Sequence, residues 1–136
     1  MFHPLFSKQY KVLVARAGQL KQKLTESDYK QHPDVKLFTI IRLLIDEKIP
    51  IAPPASHFAL RGDLKKFSRV KGMGLPKRYR LFFRADPVTS TIVIIWLGYP
   101  RKEGDTKDCY TVFAKKVSRG EIPQSIEELL SSVESW

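Results

Sequence analysis

A length of 136 residues is typical of a single domain and leaves no room for a second catalytic one, so we expect residues 1–136 to form one domain. The excess of 24 Lys and Arg over 14 Asp and Glu gives a net charge of +10, and a hydrophobic content of 43% indicates a folded basic protein rather than a disordered one. The single Cys109 excludes an internal disulfide and a cysteine-based metal cage, which favours the cytoplasm, and the longest apolar run, Ile92–Leu97, is far shorter than the roughly 20 residues of a membrane span.

The N-terminal third has the hydrophobic periodicity of helices. Apolar residues recur at steps of three and four through residues 4–24, which predicts a long amphipathic helix. A second helical pattern begins after Pro33, and Pro50 is its predicted stop. Because the polar link Thr25–His32 is short, we expect the two helices to lie antiparallel and to share one apolar seam.

A short strand or turn is predicted next, at Phe58–Leu60, and strands follow at Lys66–Lys71, Lys77–Arg84 and Thr91–Tyr99. The last of these is apolar on both faces, so we expect it to be the central strand of the sheet. The loop that joins Lys66–Lys71 to Lys77–Arg84 contains two glycines, and a hairpin connection is its simplest role.

Helical patterns return near the C-terminus. Asp105 or Thr106 is the expected N-cap of one helix, which Gly120 ends. A last helix begins near Ser125, with Glu128 at the capping-box position. Helices at both ends of a mostly antiparallel sheet predict an α+β fold.

Positive charge is concentrated in the predicted sheet. Residues 61–84 hold nine bases and one acid, Asp63, while the rest of the chain is close to neutral. A solvated face is the simplest alternative, but here the bases alternate with aromatic residues of a packed sheet, which favours a polyanion such as nucleic acid as the partner. The candidate nucleic-acid contacts in this segment are Lys65, Lys66, Lys77, Arg78 and Arg84.

Arg80 has an unusual predicted environment. Alternation along the strand directs Tyr79, Leu81 and Phe83 to one side, and Arg80 with its i+2 and i+4 neighbours to the other. A guanidinium packed beside a sheet needs an anionic partner, which is either a carboxylate from one of the helices or a ligand phosphate. Few acids lie nearby in the sequence, so we favour the phosphate.

Several segments together resemble the YhaV family of toxins from type II toxin–antitoxin systems, within the RelE-like ribonuclease superfamily. They are Tyr79–Arg84, Ile92–Trp96, Asp108–Phe113 and Gly120–Pro123, and the resemblance covers most of the chain. It implies a RelE-like fold, with two N-terminal helices and C-terminal helices around the sheet. It also implies an endonuclease of messenger RNA that acts at or near the ribosome. The implied inhibitor is a cognate antitoxin of the swapped-hairpin DNA-binding type.

The resemblance implies the site residues as well: Arg80 at the scissile phosphate, Arg69 and Lys71 on the preceding strand, Arg101 or Lys102 after the last strand, and Tyr110 in a C-terminal helix. RNA supplies its own nucleophile, the 2′-hydroxyl, so we expect neither a metal nor another cofactor. Arg80 would stabilise the phosphorane, with Arg69 or Arg84 assisting. Lys71 is the candidate base, and Tyr110 or Arg101 would protonate or stabilise the leaving oxygen.

Two other interpretations stay open. In the first, the chain is a non-catalytic RNA- or DNA-binding module in which Tyr79, Phe82 and Tyr99 stack on bases. In the second, the basic groove receives an acidic peptide. The three histidines, His3, His32 and His57, are expected to be caps, surface or packing residues rather than the acid and base of the reaction.

Overall fold

The computed structural model describes residues 1–51, 60, 62–99 and 108–133, in which helices cover both faces of a three-stranded sheet. The helices are α1 (Pro4–Lys23), α2 (Glu26–Gln31), α3 (Pro33–Leu43), α4 (Ile49–Ile51), α5 (Cys109–Ser118) and α6 (Ile126–Ser132), with a π-helix at Leu44–Lys48 and a 3-10 turn at Gly62–Leu64. The strands are β1 (Ser68–Val70), β2 (Arg80–Asp86) and β3 (Thr91–Gly98).

The first and third helices lie antiparallel, as predicted. The hydroxyl of Tyr10 in α1 accepts a hydrogen bond of 2.9 Å from Arg42 near the end of α3. Further along α1, Arg16 pairs at 3.2 Å with Asp34 at the start of α3. The end of α3 thus contacts the earlier part of α1, and the start of α3 contacts the later part, so the two helices run antiparallel. They share the apolar seam that their periodicity predicts.

Two details of this region differ from the prediction. The link Thr25–His32 is largely the short helix α2, because the hydroxyl of Thr25 accepts the backbone N–H of Asp28 and caps it. Pro50 does not stop the helical path, which continues through the π-helix to Ile51. Pro50 lies just after the π-helix, where the backbone hydrogen-bond pattern already changes, so its missing N–H interrupts that pattern without ending the helical path.

The sheet corrects one prediction about strand order. Strands β1, β2 and β3 pair antiparallel in sequence order, so β2 is central and β3 lies at one side. The chain start covers the open side of β3, where Phe2 pairs with Ile94. The amide of Gln9 exchanges two hydrogen bonds of 2.8 Å with the backbone of Leu97. Helices pack on both faces of β3, and this burial explains its continuous apolar sequence without a central position.

Strand positions are otherwise close to the predicted ones. The segments Lys66–Lys71, Lys77–Arg84 and Thr91–Tyr99 contain or overlap β1, β2 and β3. Most of Phe58–Leu60, predicted as a short strand or turn, lies outside the described residues. Leu60 itself is not in a strand, although its backbone N–H donates to the carbonyl of Phe67.

A β-bulge interrupts the pairing of β2 with β3. Phe82 pairs with Trp96 and Phe83 with Ile94, so one extra residue of β3 lies between these two pairs. Beyond the bulge, Trp96 faces the C-terminal helices and Leu97 faces the N-terminal ones. A strict alternation from Ile94 would have given the opposite assignment for both.

Each face of the sheet has its own hydrophobic core. On the N-terminal side, Leu81 and Phe83 pack with Phe6 and Ile41, and all four are essentially inaccessible to solvent. On the opposite side, Phe82 stacks on Phe113 of α5 with ring centroids 4.2 Å apart. This arrangement confirms the α+β class, while the RelE-like detail and the single domain of 1–136 stay predictions.

The C-terminal helices are capped by short polar side chains. Asp108, whose carboxylate accepts the N–H of Thr111 at 2.7 Å, is the N-cap of α5. It takes the role expected of Asp105 or Thr106, which lie outside the described residues, because the helix begins two or three residues later than predicted. Gly120 follows α5 with φ +78°, and Ser125 caps α6 through the N–H of Glu128, both as predicted.

Candidate active site

Three side chains from three elements meet on the face of the sheet that carries α5. The guanidinium Nε of Arg69 in β1 donates to the hydroxyl oxygen of Tyr110 at 2.9 Å. The Nε of Arg80 in β2 donates to the same oxygen at 3.2 Å. Residues that the sequence analysis named separately are therefore neighbours, on the side of the sheet that strand alternation predicts for Arg80.

Local packing explains why Tyr110 reaches this position. Gly98 pairs with Arg80 across the sheet, and a Cβ at Gly98 would lie only 2.8 Å from the sulfur of Cys109 and 2.9 Å from the Trp96 ring. The missing side chain thus lets the first turn of α5 approach the sheet closely. Tyr110 follows Cys109 in that turn and so lies beside the two arginines.

The hydroxyl of Tyr110 has an altered acidity. Burial raises its pKa, but the hydrogen bonds and positive charges of Arg69 and Arg80 act in the opposite direction and outweigh burial. The net pKa of Tyr110 is therefore lowered from its ordinary value. A tyrosine in this environment gives up its proton more readily than a free tyrosine, because two cations stabilise the phenolate.

Arg80 has no carboxylate partner in the part of the chain that the structure describes. Its Nη1 donates to the carbonyl of Tyr79 at 2.8 Å, and its guanidinium carbon lies 6.0 Å from the centre of the Tyr110 ring. Both partners are neutral acceptors, so the positive charge of Arg80 is not balanced by them. This arrangement suits an anionic ligand that approaches from the same face.

The remaining predicted residues are distributed around this centre. Lys71 is exposed directly after β1, and its side chain makes no hydrogen bond or ion pair with any described residue. The other basic residues that are exposed in the turns before β1 and β2 are Lys65, Lys66, Lys77 and Arg78. Arg101 and Lys102 lie outside the described residues.

Arg84 contacts the loop before α6 and does not join Arg69 and Arg80 at the hydroxyl of Tyr110. Its Nη1 donates to the carbonyl of Gln124 at 2.6 Å, and its guanidinium lies over the ring of Phe67 at 5.7 Å. Arg84 thereby attaches the loop before α6 to the sheet. This contact is additional to the nucleic-acid role that the sequence analysis gives it, and that role stays a prediction.

The histidines match their expected structural roles where they are described. The ring nitrogens of His3 and His32 accept backbone N–H groups at the starts of α1 and α3, so both are helix caps. His57 lies outside the described residues. Cys109 is buried, and that burial raises the pKa of its thiol.

One of the three proposed stacking residues needs correction. Phe82 is fully buried between the sheet and α5, so it cannot stack on a base. Tyr79 and Tyr99 stack on each other, with ring centroids 5.7 Å apart, and their contact with bases stays a prediction. Gly98 was not predicted as a site residue, because its only signal was a glycine at the end of an otherwise bulky strand.

The described residues contain no group of three His, Cys, Asp or Glu side chains arranged around a common point. None of the described helices is long and apolar enough to cross a membrane.

The fold and the site together define a small α+β protein with a basic sheet face, on which Arg69 and Arg80 hold the hydroxyl of Tyr110. Such a face is suited to binding a phosphodiester. A family model described as "Toxin with endonuclease activity, of toxin-antitoxin system" matches residues 1–134. The chain therefore belongs to the YhaV toxin family, and it is a toxin endonuclease of a toxin–antitoxin system.

Individual relatives agree with this assignment. "Toxin YhaV" of Escherichia coli O6:H1 is 36% identical to the chain over 141 residues, which cover 97% of this chain and 89% of the relative. "Ribonuclease toxin YhaV" of Escherichia coli K12 has the same identity and coverage. No solved structure matches the chain significantly.

Proposed function

We propose that the chain is an endoribonuclease of messenger RNA that works by attack of the ribose 2′-hydroxyl, without a metal ion. The observation that carries the proposal is the hydroxyl of Tyr110, held by Arg69 and Arg80 on one basic face. The relative named as a ribonuclease supports RNA as the substrate. A cytoplasmic location would give the toxin direct access to this substrate.

The proposed reaction assigns one role to each group. The 2′-oxygen forms a bond to phosphorus while the bond to the 5′-oxygen breaks, which leaves a 2′,3′-cyclic phosphate and a 5′-hydroxyl. Arg80 and Arg69 stabilise the extra negative charge on the phosphorane. Tyr110 donates its proton to the leaving 5′-oxygen, and its lowered pKa favours that transfer.

Other basic residues complete the proposal. Lys71, exposed on the same strand end as Arg69, accepts the proton of the 2′-hydroxyl, and Arg101 is a second candidate for stabilising the leaving oxygen. The phosphates on either side are held by the exposed bases Lys65, Lys66, Lys77, Arg78, Arg84 and Lys102. Such contacts fix the position of the RNA and carry no sequence information.

Purified protein incubated with messenger RNA in EDTA tests this function directly. We expect cleavage with 2′,3′-cyclic phosphate ends, and a 10²- to 10³-fold lower rate for Arg80→Ala with RNA binding retained, as for loss of one preorganised donor. Arg119→Ala, which removes an exposed arginine at the end of α5, is the matched control and should cut at the normal rate. Cleavage that stops in EDTA, or that continues unchanged in Arg80→Ala, would contradict the mechanism.

The same proposal includes the partners of the toxin. Its antitoxin is of the swapped-hairpin DNA-binding type and covers the basic face, and cleavage takes place at or near the ribosome. Parallel incubations with and without ribosomes test the second point, because a ribosome-dependent toxin cuts free RNA much more slowly. Competition between the antitoxin and a non-cleavable RNA tests the first point.

A further inference from the structure

A groove opens on the other side of the sheet from Tyr110, where β2 begins and β3 ends. Its volume is about 400 Å³, within the size range of small-molecule clefts. The apolar wall consists of Val12, Leu13, Leu37 and Leu97, and two tyrosines, Tyr79 and Tyr99, close one end.

The two tyrosines form a stacked pair with one open face. Their ring planes are 25° apart, and Tyr99 is 46% exposed while Tyr79 is half-buried. Burial raises the pKa of Tyr79, assisted by the neighbouring Tyr99 and Asp34, so this ring stays neutral. The pair therefore offers a rigid, uncharged aromatic surface to a molecule in the groove.

This aromatic pair is directly connected to the candidate active site. Tyr79 precedes Arg80, whose guanidinium donates to the Tyr79 carbonyl at 2.8 Å. Tyr99 follows Gly98, the residue that pairs with Arg80 across the sheet. A single strand that has one phosphate at Arg80 would turn around the end of the sheet to bring a nearby base to Tyr99.

Charge at the rim of the groove fits the same occupant. Lys8 is exposed there and forms no ion pair with any residue that the structure describes. Arg16 and Asp34 also line the rim, but they are paired with each other at 3.2 Å and together add no net charge. An aromatic platform beside a cation, here Lys8, is the combination that binds a base and its phosphate in single-stranded nucleic acids.

We propose that Tyr99, supported by Tyr79, is a stacking platform for an unpaired nucleobase next to the scissile bond. The proposal rests on the proposed ribonuclease function and adds a subsite to it. It restricts the substrate to RNA that is single-stranded at this position, because a base within a duplex cannot leave its neighbours to stack on a tyrosine without paying the cost of unstacking.

Steady-state cleavage of a single-stranded oligoribonucleotide is the first test. Tyr99→Leu keeps an apolar contact with Tyr79 and removes the aromatic face, so we expect KM to rise about 5- to 100-fold with kcat less affected. Tyr99→Phe should keep KM close to the wild-type value. Tyr29→Ala, which removes a tyrosine from α2 outside the groove, is the control.

A binding measurement separates this subsite from the nuclease function. An oligonucleotide with a 2′-deoxy sugar at the cleavage position and 2-aminopurine at successive flanking positions should lose fluorescence at one position with wild-type protein and with Tyr99→Phe. The loss should disappear with Tyr99→Leu. If the wild-type protein does not cleave RNA but the quenching follows this pattern, the proposed function fails and the subsite stands.

The opposite result overturns the subsite alone. Cleavage by Tyr99→Leu with the wild-type KM, together with unchanged quenching, would show that no base stacks on this ring. A groove that accommodates a protein segment would give the same result. Thermal unfolding of each variant ensures that only folded protein is compared, and Tyr99→Phe provides the reference if Tyr99→Leu is unstable.

Discussion

The oxygen of Tyr110 accepts hydrogen bonds from two guanidinium groups, which leaves its own proton as the remaining polar group to direct at a ligand. If Tyr110 is the general acid, it works only while protonated, so kcat should fall as the pH rises through its lowered pKa. We expect an alkaline limb in the pH–rate profile of the wild-type enzyme. Tyr110→Phe should be about 10²- to 10⁴-fold slower and should lack that limb.

The arginines provide a control for this assignment. Arg69→Gln removes one of the two cations that lower the pKa of Tyr110, so the alkaline limb should move to higher pH. Arg119→Gln, at an exposed position at the end of α5, should leave the limb where it is. A limb that is unchanged in both Tyr110→Phe and Arg69→Gln would assign the titration to another group.

At the scale of elements, the site depends on the close approach of α5 to the end of β3. Gly98→Ala would place a Cβ 2.8 Å from the Cys109 sulfur and 2.9 Å from the Trp96 ring, so α5 must move outward. We expect a loss of about 1 to 3 kcal/mol in the free energy of unfolding, as for other overpacked sites. Because Tyr110 moves with α5, kcat should also fall.

Urea unfolding and RNA cleavage measure these two effects together. Gly18→Ala is the matched control, because nothing lies within 4 Å of a Cβ at this exposed helical position. Alanine favours helix over glycine by up to about 1 kcal/mol, so this variant should be slightly more stable and fully active. A Gly98→Ala protein with normal stability and kcat would mean that α5 does not need this close contact.

Elements were predictable where periodicity and caps agree. The periodicity of α1 and the Ser125 cap of α6 are local signals, and the structure confirms both. The order of the strands is not a local property. A continuous apolar sequence in β3 reports burial on both faces, and residues Met1 to His3 provide cover at its edge that no pattern within β3 could reveal.

In the candidate site, too, some features follow from local sequence signals and others depend on how the elements pack. Alternation in β2 was sufficient to predict the side on which Arg80 lies, because it depends on neighbouring residues alone. The pairing of Arg69 and Arg80 on one tyrosine depends on how α5 docks, and its cap, Asp108, was assigned to earlier residues. The exchange of Trp96 and Leu97 between faces follows from a bulge that leaves no local sequence signature.

At the scale of the whole molecule, the net charge of +10 is distributed unevenly. The N-terminal helices carry bases as well, but some of these are paired with acids of the same region, as in the pairs of Lys30 with Glu26 and Arg42 with Asp46. The turns around β1 and β2 present exposed lysines with few acids nearby. A polyanion should therefore be attracted to the sheet end of the molecule before specific contacts form.

Because the charge is distributed in this way, the salt dependence of RNA binding should change according to which lysine is removed. For single-stranded RNA, the plot of log K against log salt should become less steep by about 0.7 for each phosphate contact removed. We expect that change for Lys65→Ala and for Lys77→Ala, measured with an oligonucleotide that carries a 2′-deoxy sugar at the cleavage position. Lys23→Ala, at the end of α1, removes the same charge from the opposite part of the chain and should leave the slope unchanged. Equal changes in all three variants would mean that binding responds to total charge, and that the sheet end is not where the phosphates lie.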